Sequence, residues 1–292
     1  MNKQLIINAD GFGFTSGVNK GIYESIVNGI VTSISCVVNF PFIKDVSKFR
    51  KEFEERSISI GIHFNLSVGK PISPIKKVPS LIDGNTGEFW GDKFAQKCLC
   101  GEIKIKDIEE ELESQIRVLL DLGIKPSHWD GHQNKHLYPK FFWAATNIAK
   151  KYSILAMRTH KRYIFLLTPK NRRLRILDYY INNPKRFISH SYCKALMKFA
   201  SYYGFKMADR LITPAYADKG KKYLLDTWLA LIKYLPKGIN EIYCHPGYCD
   251  ETLVKYAKYI YEREEEVKVL TSRELMDAII EDDIKLISFK DI

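Results

Sequence analysis

Six residues far apart in the sequence carry side chains that could do chemistry together: Asp10, His63, Asp130, His132, Arg158 and His245. Two neutral imidazoles and a carboxylate form a common site for Zn²⁺ or another divalent ion, with spare positions for water and substrate. Such an ion lowers the pKa of a bound water and polarises a carbonyl, which suits amide hydrolysis. A nearby carboxylate can take the water's proton, and a further histidine can protonate the departing amine. Any one of these residues alone says little, because a single histidine near a strand end is more often structural. Cys244 beside His245 invites a nucleophile reading, but a small apolar strand residue accounts for it better.

These side chains need elements to bring them together, and the apolar pattern supplies them. Leu5-Ile6-Ile7 reads as a first strand, with Asp10 just after it. Val18, Ile22 and Ile26 then recur at helical spacing, and Gly29 closes that helix. Residues 33–39 are β-branched and read as a strand, and residues 57–66 alternate Ile58, Ile60 and Ile62 on one face, placing His63 near a strand end. Ile108, Leu112, Ile116 and Leu120 mark a helix over 107–122, ended by Gly123. Strands follow at 126–132, 154–158 and 241–244, the last broken by Pro246-Gly247. Thr271 and Glu274 have the capping-box spacing and open a final helix.

Strands and helices alternate, which argues for a parallel sheet. At 292 residues a single domain is expected: a TIM-like α/β barrel, closed or nearly so, in preference to a doubly wound sheet. In a parallel barrel the C-terminal strand ends share one face, so Asp10, His63, Asp130, His132, Arg158 and His245 would converge there. Residues 160–215 fit the alternation poorly and read as a basic, aromatic-rich insertion.

Other chemistries lack support. There is no Gly-x-Ser-x-Gly and no phosphate loop, and Gly11-Phe12-Gly13 continues as Phe14-Thr15-Ser16, missing the dinucleotide pattern. Cys36, Cys98, Cys100, Cys193, Cys244 and Cys249 form no Cys-x-x-Cys pair and read as reduced thiols. The start is too short and polar for a signal peptide, and no apolar run approaches the roughly 18 residues of a membrane span. A cytoplasmic protein is expected. The net charge of +11 is concentrated: residues 158–190 hold nine Lys or Arg against one acid, Asp178. Such a patch attracts phosphate, nucleic acid or an anionic membrane surface, and a solvated face explains it equally well. Specific nucleic-acid binding is disfavoured, since no recognition motif or base-stacking pattern accompanies the charge.

The sequence resembles the YdjC-like carbohydrate deacetylases along nearly its whole length. The likeness runs through Ile7-Asn8-Ala9-Asp10-Gly11-Phe12-Gly13, Asn28-Gly29-Ile30-Val31-Thr32-Ser33 and Gly61-Ile62-His63-Phe64-Asn65-Leu66. It continues through Pro126-Ser127-His128-Trp129-Asp130-Gly131-His132-Gln133, Cys244-His245-Pro246-Gly247-Tyr248 and the tail from Leu270 to Asp291. The resemblance implies a barrel of the glycoside hydrolase/deacetylase type that removes N-acetyl from a sugar. It implies one divalent metal ion, Mg²⁺ or Zn²⁺, on His63 and His132. It gives Asp10 as general base, His245 as acid, and Arg158 as the residue that orients the base or the substrate. Asp130 and Tyr248, inside the same motifs, are expected to touch substrate. An N-acetylated sugar is then the expected partner, with an anionic lipid or pyrophosphate meeting residues 158–190. Membrane-peripheral placement and a homodimer are both compatible with this reading.

Two positions depart from the family pattern. Its second Asp, the expected third metal ligand, is Gly11 here, and the middle member of its His-x-His-x-His run is Asn134. Three outcomes are open at Gly11. Asp10 takes over the metal, two histidines and water suffice, or the chain keeps sugar binding without catalysis.

Overall fold

The computed structural model describes residues 2–167, 170–212, 221 and 223–292. The strands and helices in chain order are β1 (Lys3–Phe12), α1 (Ser16–Val27), β2 (Ser33–Cys36), α2 (Asp45–Glu55), β3 (Ser59–Phe64), α3 (Phe94–Leu99) and α4 (Ile105–Asp121). Then come β4 (His128–Gly131), α5 (Pro139–Lys151), β5 (Ala156–Met157), β6 (Arg162–Tyr163), α6 (Arg172–Asn182), α7 (Pro184–Tyr202) and β7 (Arg210–Ile212). The chain continues with α8 (Leu225–Lys233), β8 (Gly238–Cys244), α9 (Glu251–Tyr256), α10 (Glu262–Leu270), α11 (Arg273–Glu281) and β9 (Ile284–Leu286).

The sheet is parallel and curled, in the order β5-β4-β3-β2-β1-β8-β7-β6, with β9 on β1. This is the α/β barrel architecture expected for the deacetylase type, left open between β5 and β6. Part of that gap is bridged by Lys206, whose N–H donates to Leu155 O at 2.8 Å and whose carbonyl accepts from Met157 at 3.0 Å.

The pleat of β1 explains how the barrel is filled. Leu5, Ile7 and Ala9 join the large apolar core, together with Val18, Ile22 and Ile26 of α1. Ile6, Asn8 and Asp10 lie on the opposite face of the strand, because successive side chains alternate. Ile6 packs with Ala156, Ile287 and Phe289, forming an apolar floor. One layer up, Asn8 Nδ2 donates to Ser35 Oγ at 2.9 Å, and Asn8 Oδ1 lies 3.1 Å from His128 Nε2. The His128 ring stacks on Phe289 with centroids 3.8 Å apart. Only glycine fits at Gly61, where an added Cβ would lie 2.4 Å from that ring. Asp10 forms the top layer.

Two expectations change. Of residues 160–215, 168–169 and 213–215 lie outside the described residues, and the rest supply β6 and β7 to the sheet around the α6–α7 pair. The expected capping box at Thr271 is not made. Thr271 Oγ1 donates back to Val267 O at 2.8 Å and Ser272 Oγ to Val269 O at 2.8 Å, so both hydroxyls finish α10 instead of starting α11. A capping box does form at Ser288 and Asp291, beneath the barrel. Among the described residues no helix is long and apolar enough to cross a membrane.

Candidate active site

The site grows from strand ends. Asp10 belongs to β1 itself, whose pairing with β2 runs Asp10↔Ser35 and then Phe12↔Cys36. Gly11 is the extra residue, a β-bulge at φ +103° that side-chain-bearing residues rarely adopt. Its carbonyl accepts from Phe14 N–H at 3.0 Å, and Thr15 Oγ1 caps α1 by accepting from Val18 N–H at 3.1 Å. The chain thus turns away from the rim one residue after Asp10.

Arg158, just past β5, is the hub. Its Nη1 and Nη2 donate to Asp10 Oδ2 and Oδ1 at 2.7 and 2.6 Å. Nη1 also reaches Asp130 Oδ2 at 2.7 Å, and Nε donates to Glu241 Oε1 at 2.7 Å. One buried guanidinium therefore faces three buried carboxylates. Burial opposes the charge on Arg158, but Asp10, Asp130 and Glu241 together raise its pKa well above the ordinary value. Burial likewise opposes charge on Asp10, yet Arg158 outweighs it and holds that carboxyl far below the usual range. Glu241 goes the other way. Burial pushes it up to about 7, only partly offset by Arg158.

His63 in β3 stands beside Asp130 in β4, their Cα positions paired in register. His63 Nδ1 lies 2.6 Å from Asp130 Oδ1, while Asp130 Oδ2 accepts from Ser35 Oγ at 3.1 Å. Burial lowers the His63 pKa, but Asp130 and then Asp10 reverse the sign and raise it. His132 follows β4 directly. Its ring centroid is 5.4 Å from that of His63, nearly perpendicular to it. Burial, followed by the charges of His63 and Arg263, pushes its pKa down to about 3, so the imidazole is neutral. Gln133 and Asn134 come next, both left-handed at φ +53° and +57°. Asparagine tolerates that region better than most residues, and Asn134 fills the position of the missing middle histidine.

His245 ends β8. Its backbone N–H donates to Glu266 Oε2 at 2.6 Å, and its Nε2 lies 3.9 Å from Asp10 Oδ2. Tyr243 and Tyr259 flank the ring at 5.5 and 6.0 Å. These groups surround a cavity of about 540 Å³, whose wall includes Asp10, His63, His132, Arg158 and His245. Phe14, Tyr256 and Tyr259 offer it aromatic surface, and Lys255, Lys258 and Arg263 offer positive charge.

Among the described residues the one cluster with metal-ligating atoms within 4.8 Å of one another is Asp10, His63 and Asp130. Asp130 Oδ1 lies against His63 Nδ1 and its Oδ2 against Ser35 and Arg158, off the cavity wall. A carboxylate behind an imidazole is the usual way a ligating histidine is oriented, leaving Nε2 for the ion. His63 Nε2 and an oxygen of Asp10 could hold a divalent ion, with the neutral His132 beside them, its ring centroid 5.4 Å from that of His63.

Of the residues expected from sequence, five reach the cavity wall: Asp10, His63, His132, Arg158 and His245. Asp130 sits behind them as a support. Tyr248 is outside the wall, its hydroxyl donating to Glu24 Oε2 at 2.7 Å with Lys20 over its ring. Sequence reasoning missed Glu241 and Tyr243. The signal was present: Glu241, Tyr243 and His245 are spaced by two, so in a strand they share a face.

The fold and site define an α/β barrel with a buried histidine–carboxylate–arginine centre at the C-terminal ends of its strands. The chain belongs to the YdjC-like protein family, whose model matches residues 4–281. It is similar to the carbohydrate deacetylase of Thermoanaerobacter pseudethanolicus, 31% identical over 98% of both chains. It is also similar to the carbohydrate deacetylase of Geobacillus stearothermophilus, 30% identical over 100% of this chain and 98% of that one. A crystal structure from Enterococcus faecalis V583, provisionally assigned to cellobiose-phosphate cleavage, superposes with a TM-score of 0.79 at 27% identity, covering 100% of this chain and 99% of the other.

Proposed function

We propose that the protein is a metal-dependent carbohydrate deacetylase that removes an N-acetyl group from an amino sugar. The supporting observation is the placement of Asp10 and His245, 3.9 Å apart, beside the His63–His132 pair in one cavity. The full-length relatives named carbohydrate deacetylase support the substrate class. His63 and His132, with Asp10 on the same cavity wall, would hold one divalent ion, Mg²⁺ or Zn²⁺. Bound there, such an ion would supply Lewis acidity toward the acetyl carbonyl and toward water. Asp10, kept ionised by Arg158, accepts the proton of the attacking water, and His245 gives a proton to the amine nitrogen as it leaves. The aromatic surface of Phe14, Tyr256 and Tyr259 packs against the sugar. Lys255 and Lys258 suit a sugar linked to a lipid pyrophosphate or a nucleotide. All of this takes place within one barrel domain.

Gly11 motivates a second reading, sugar binding without turnover. Acetate release from N-acetylated chito-oligosaccharides, with metal and with chelator, tests both. Release that stops with chelator and in His63→Ala supports the enzyme. Saturable sugar binding with no acetate release under any metal supports the second reading.

A further inference from the structure

Helix α6 buries no residue. Its packed side carries Tyr180, which meets Phe187 of α7 edge to face at 5.3 Å and whose hydroxyl lies 3.1 Å from His190 Nδ1. The opposite side carries Leu174, Leu177 and Ile181, exposed by 68%, 58% and 68%. Their spacing of three and four places them in one stripe. Phe187 and Ile188, at the start of α7, are also more than half exposed. Exposed apolar residues that occur singly need no explanation, but a contiguous exposed stripe along one helix does.

Around this stripe the charge is positive. Arg173, Lys185 and Arg186 lie exposed on α6 and the first turn of α7, against the one acid Asp178, while Arg172 turns inward, its guanidinium 4.2 Å over the Tyr163 ring and its Nη1 donating to Ile164 O at 2.8 Å. Lys194 and Lys198 extend the positive charge along α7. We propose that the α6–α7 hairpin docks on an anionic membrane surface, with Leu174, Leu177, Ile181 and Ile188 entering the acyl boundary and the flanking cations meeting the headgroups. An amphipathic helix with Lys and Arg beside an apolar face has the chemistry of an interfacial anchor. A second copy of this chain fits worse, because a two-fold contact would set this positive patch against itself. Nucleic acid offers nothing for the leucine stripe.

The hairpin is tied to the rim. Tyr192 Oη of α7 donates to Leu137 O at 2.8 Å, in the turn that begins with His132. Docking would therefore hold the cavity beside the surface where a lipid-linked sugar presents itself. This last step rests on the proposed deacetylase reading, whereas the docking does not.

Flotation with vesicles of phosphatidylcholine alone and of phosphatidylcholine with phosphatidylglycerol, at low and high salt, tests the docking. The wild type should float with the anionic vesicles at low salt and lose most binding at high salt or without the anionic lipid. Leu174→Ser/Leu177→Ser/Ile181→Ser should weaken partitioning by about tenfold or more. Arg173→Glu/Lys185→Glu/Arg186→Glu should weaken it by about fivefold or more per reversed charge. Both variants should keep the wild-type unfolding midpoint and acetate release from a soluble oligosaccharide. Asp10→Asn should float like the wild type, so loss of catalysis and loss of docking are read separately. No flotation at low salt overturns the proposal, as does flotation unchanged in the serine variant. A concentration-dependent dimer that the serine variant abolishes also overturns it and assigns the stripe to self-association.

Discussion

The rim centre and the α6–α7 hairpin use the same residue types to opposite ends. At the rim, Arg158 is buried and all three of its carboxylate partners are within 2.7 Å. In the hairpin, arginines and lysines flank leucines that touch little of the chain. Charge buried with its partners fixes geometry, because any one partner removed leaves the others uncompensated. Charge left at the surface costs little to keep and is available to a ligand. The contrast is what separates a site built for a small substrate from a face suited to a large, soft one.

Arg158→Met should show the largest effect, since it strands Asp10, Asp130 and Glu241 together. A loss of roughly 3–5 kcal/mol in stability is expected by denaturant titration. A loss under about 1 kcal/mol would mean that the carboxylates do not depend on the guanidinium.

Asp10→Asn keeps the size and removes the charge. Turnover should fall by about a hundredfold or more. Metal content measured on the same sample separates its two roles: retained metal makes Asp10 mainly the base, and lost metal makes it a ligand. Full activity would remove Asp10 from the mechanism.

Gly11→Asp tests the departure from the family. Space is available, because an added Cβ would meet only Val18 Cγ1, at 3.8 Å. The positive φ is the obstacle, and a stability loss of roughly 1–2 kcal/mol is expected together with tighter metal binding by titration. A folded variant with no gain in affinity would show a site rebuilt around the glycine.

Glu241 gives a subtler readout. Its folded pKa, pushed up to about 7, exceeds the ordinary 4.5. The sign follows: its stabilising contribution is fullest below the ordinary value and is lost as pH rises through the folded one. Wild type should therefore lose stability relative to Glu241→Gln as pH increases across that window. A parallel pair of stability–pH curves would show that Glu241 stays ionised throughout. At the small end, Leu174→Ser alone should shift stability by less than about 0.5 kcal/mol, because the residue packs on nothing that α6 buries. A larger loss would show that the stripe supports the fold.

Much of this was legible in the sequence. Apolar spacing located the strands that carry Asp10, His63 and Asp130 and the one that leads into His245, because the core dictates periodicity. Parallel connectivity then put their ends on one face. What spacing could not show was division of labour. Asp130 and Asp10 look alike in sequence, and only the structure shows Asp130 2.6 Å from His63 Nδ1 and off the cavity wall that Asp10 lines. Tyr248 shares a motif with His245, yet the turn after β8 carries it toward Glu24. Thr271 has the spacing of a cap, but its hydroxyl finds the carbonyl behind it first. Glu241 is readable only once the strand's alternation is carried back from His245. In 160–215 the strands β6 and β7 span two and three residues, too short to show a period.

Phe289 has a consequence for how the molecule is made. It closes the barrel floor by stacking on His128, and its N–H donates to Ser59 Oγ across 230 residues of sequence. A ribosome delivers β1 to β4 long before it delivers that ring. Until then the polar layer under the site, Asn8, Ser35 and His128, has no lid below it, and β1 waits for β8 and β9 along its edges. The half-made barrel therefore carries exposed strand edge and closes slowly, through long-range contacts. The active centre is finished from beneath, once Phe289 has stacked on His128.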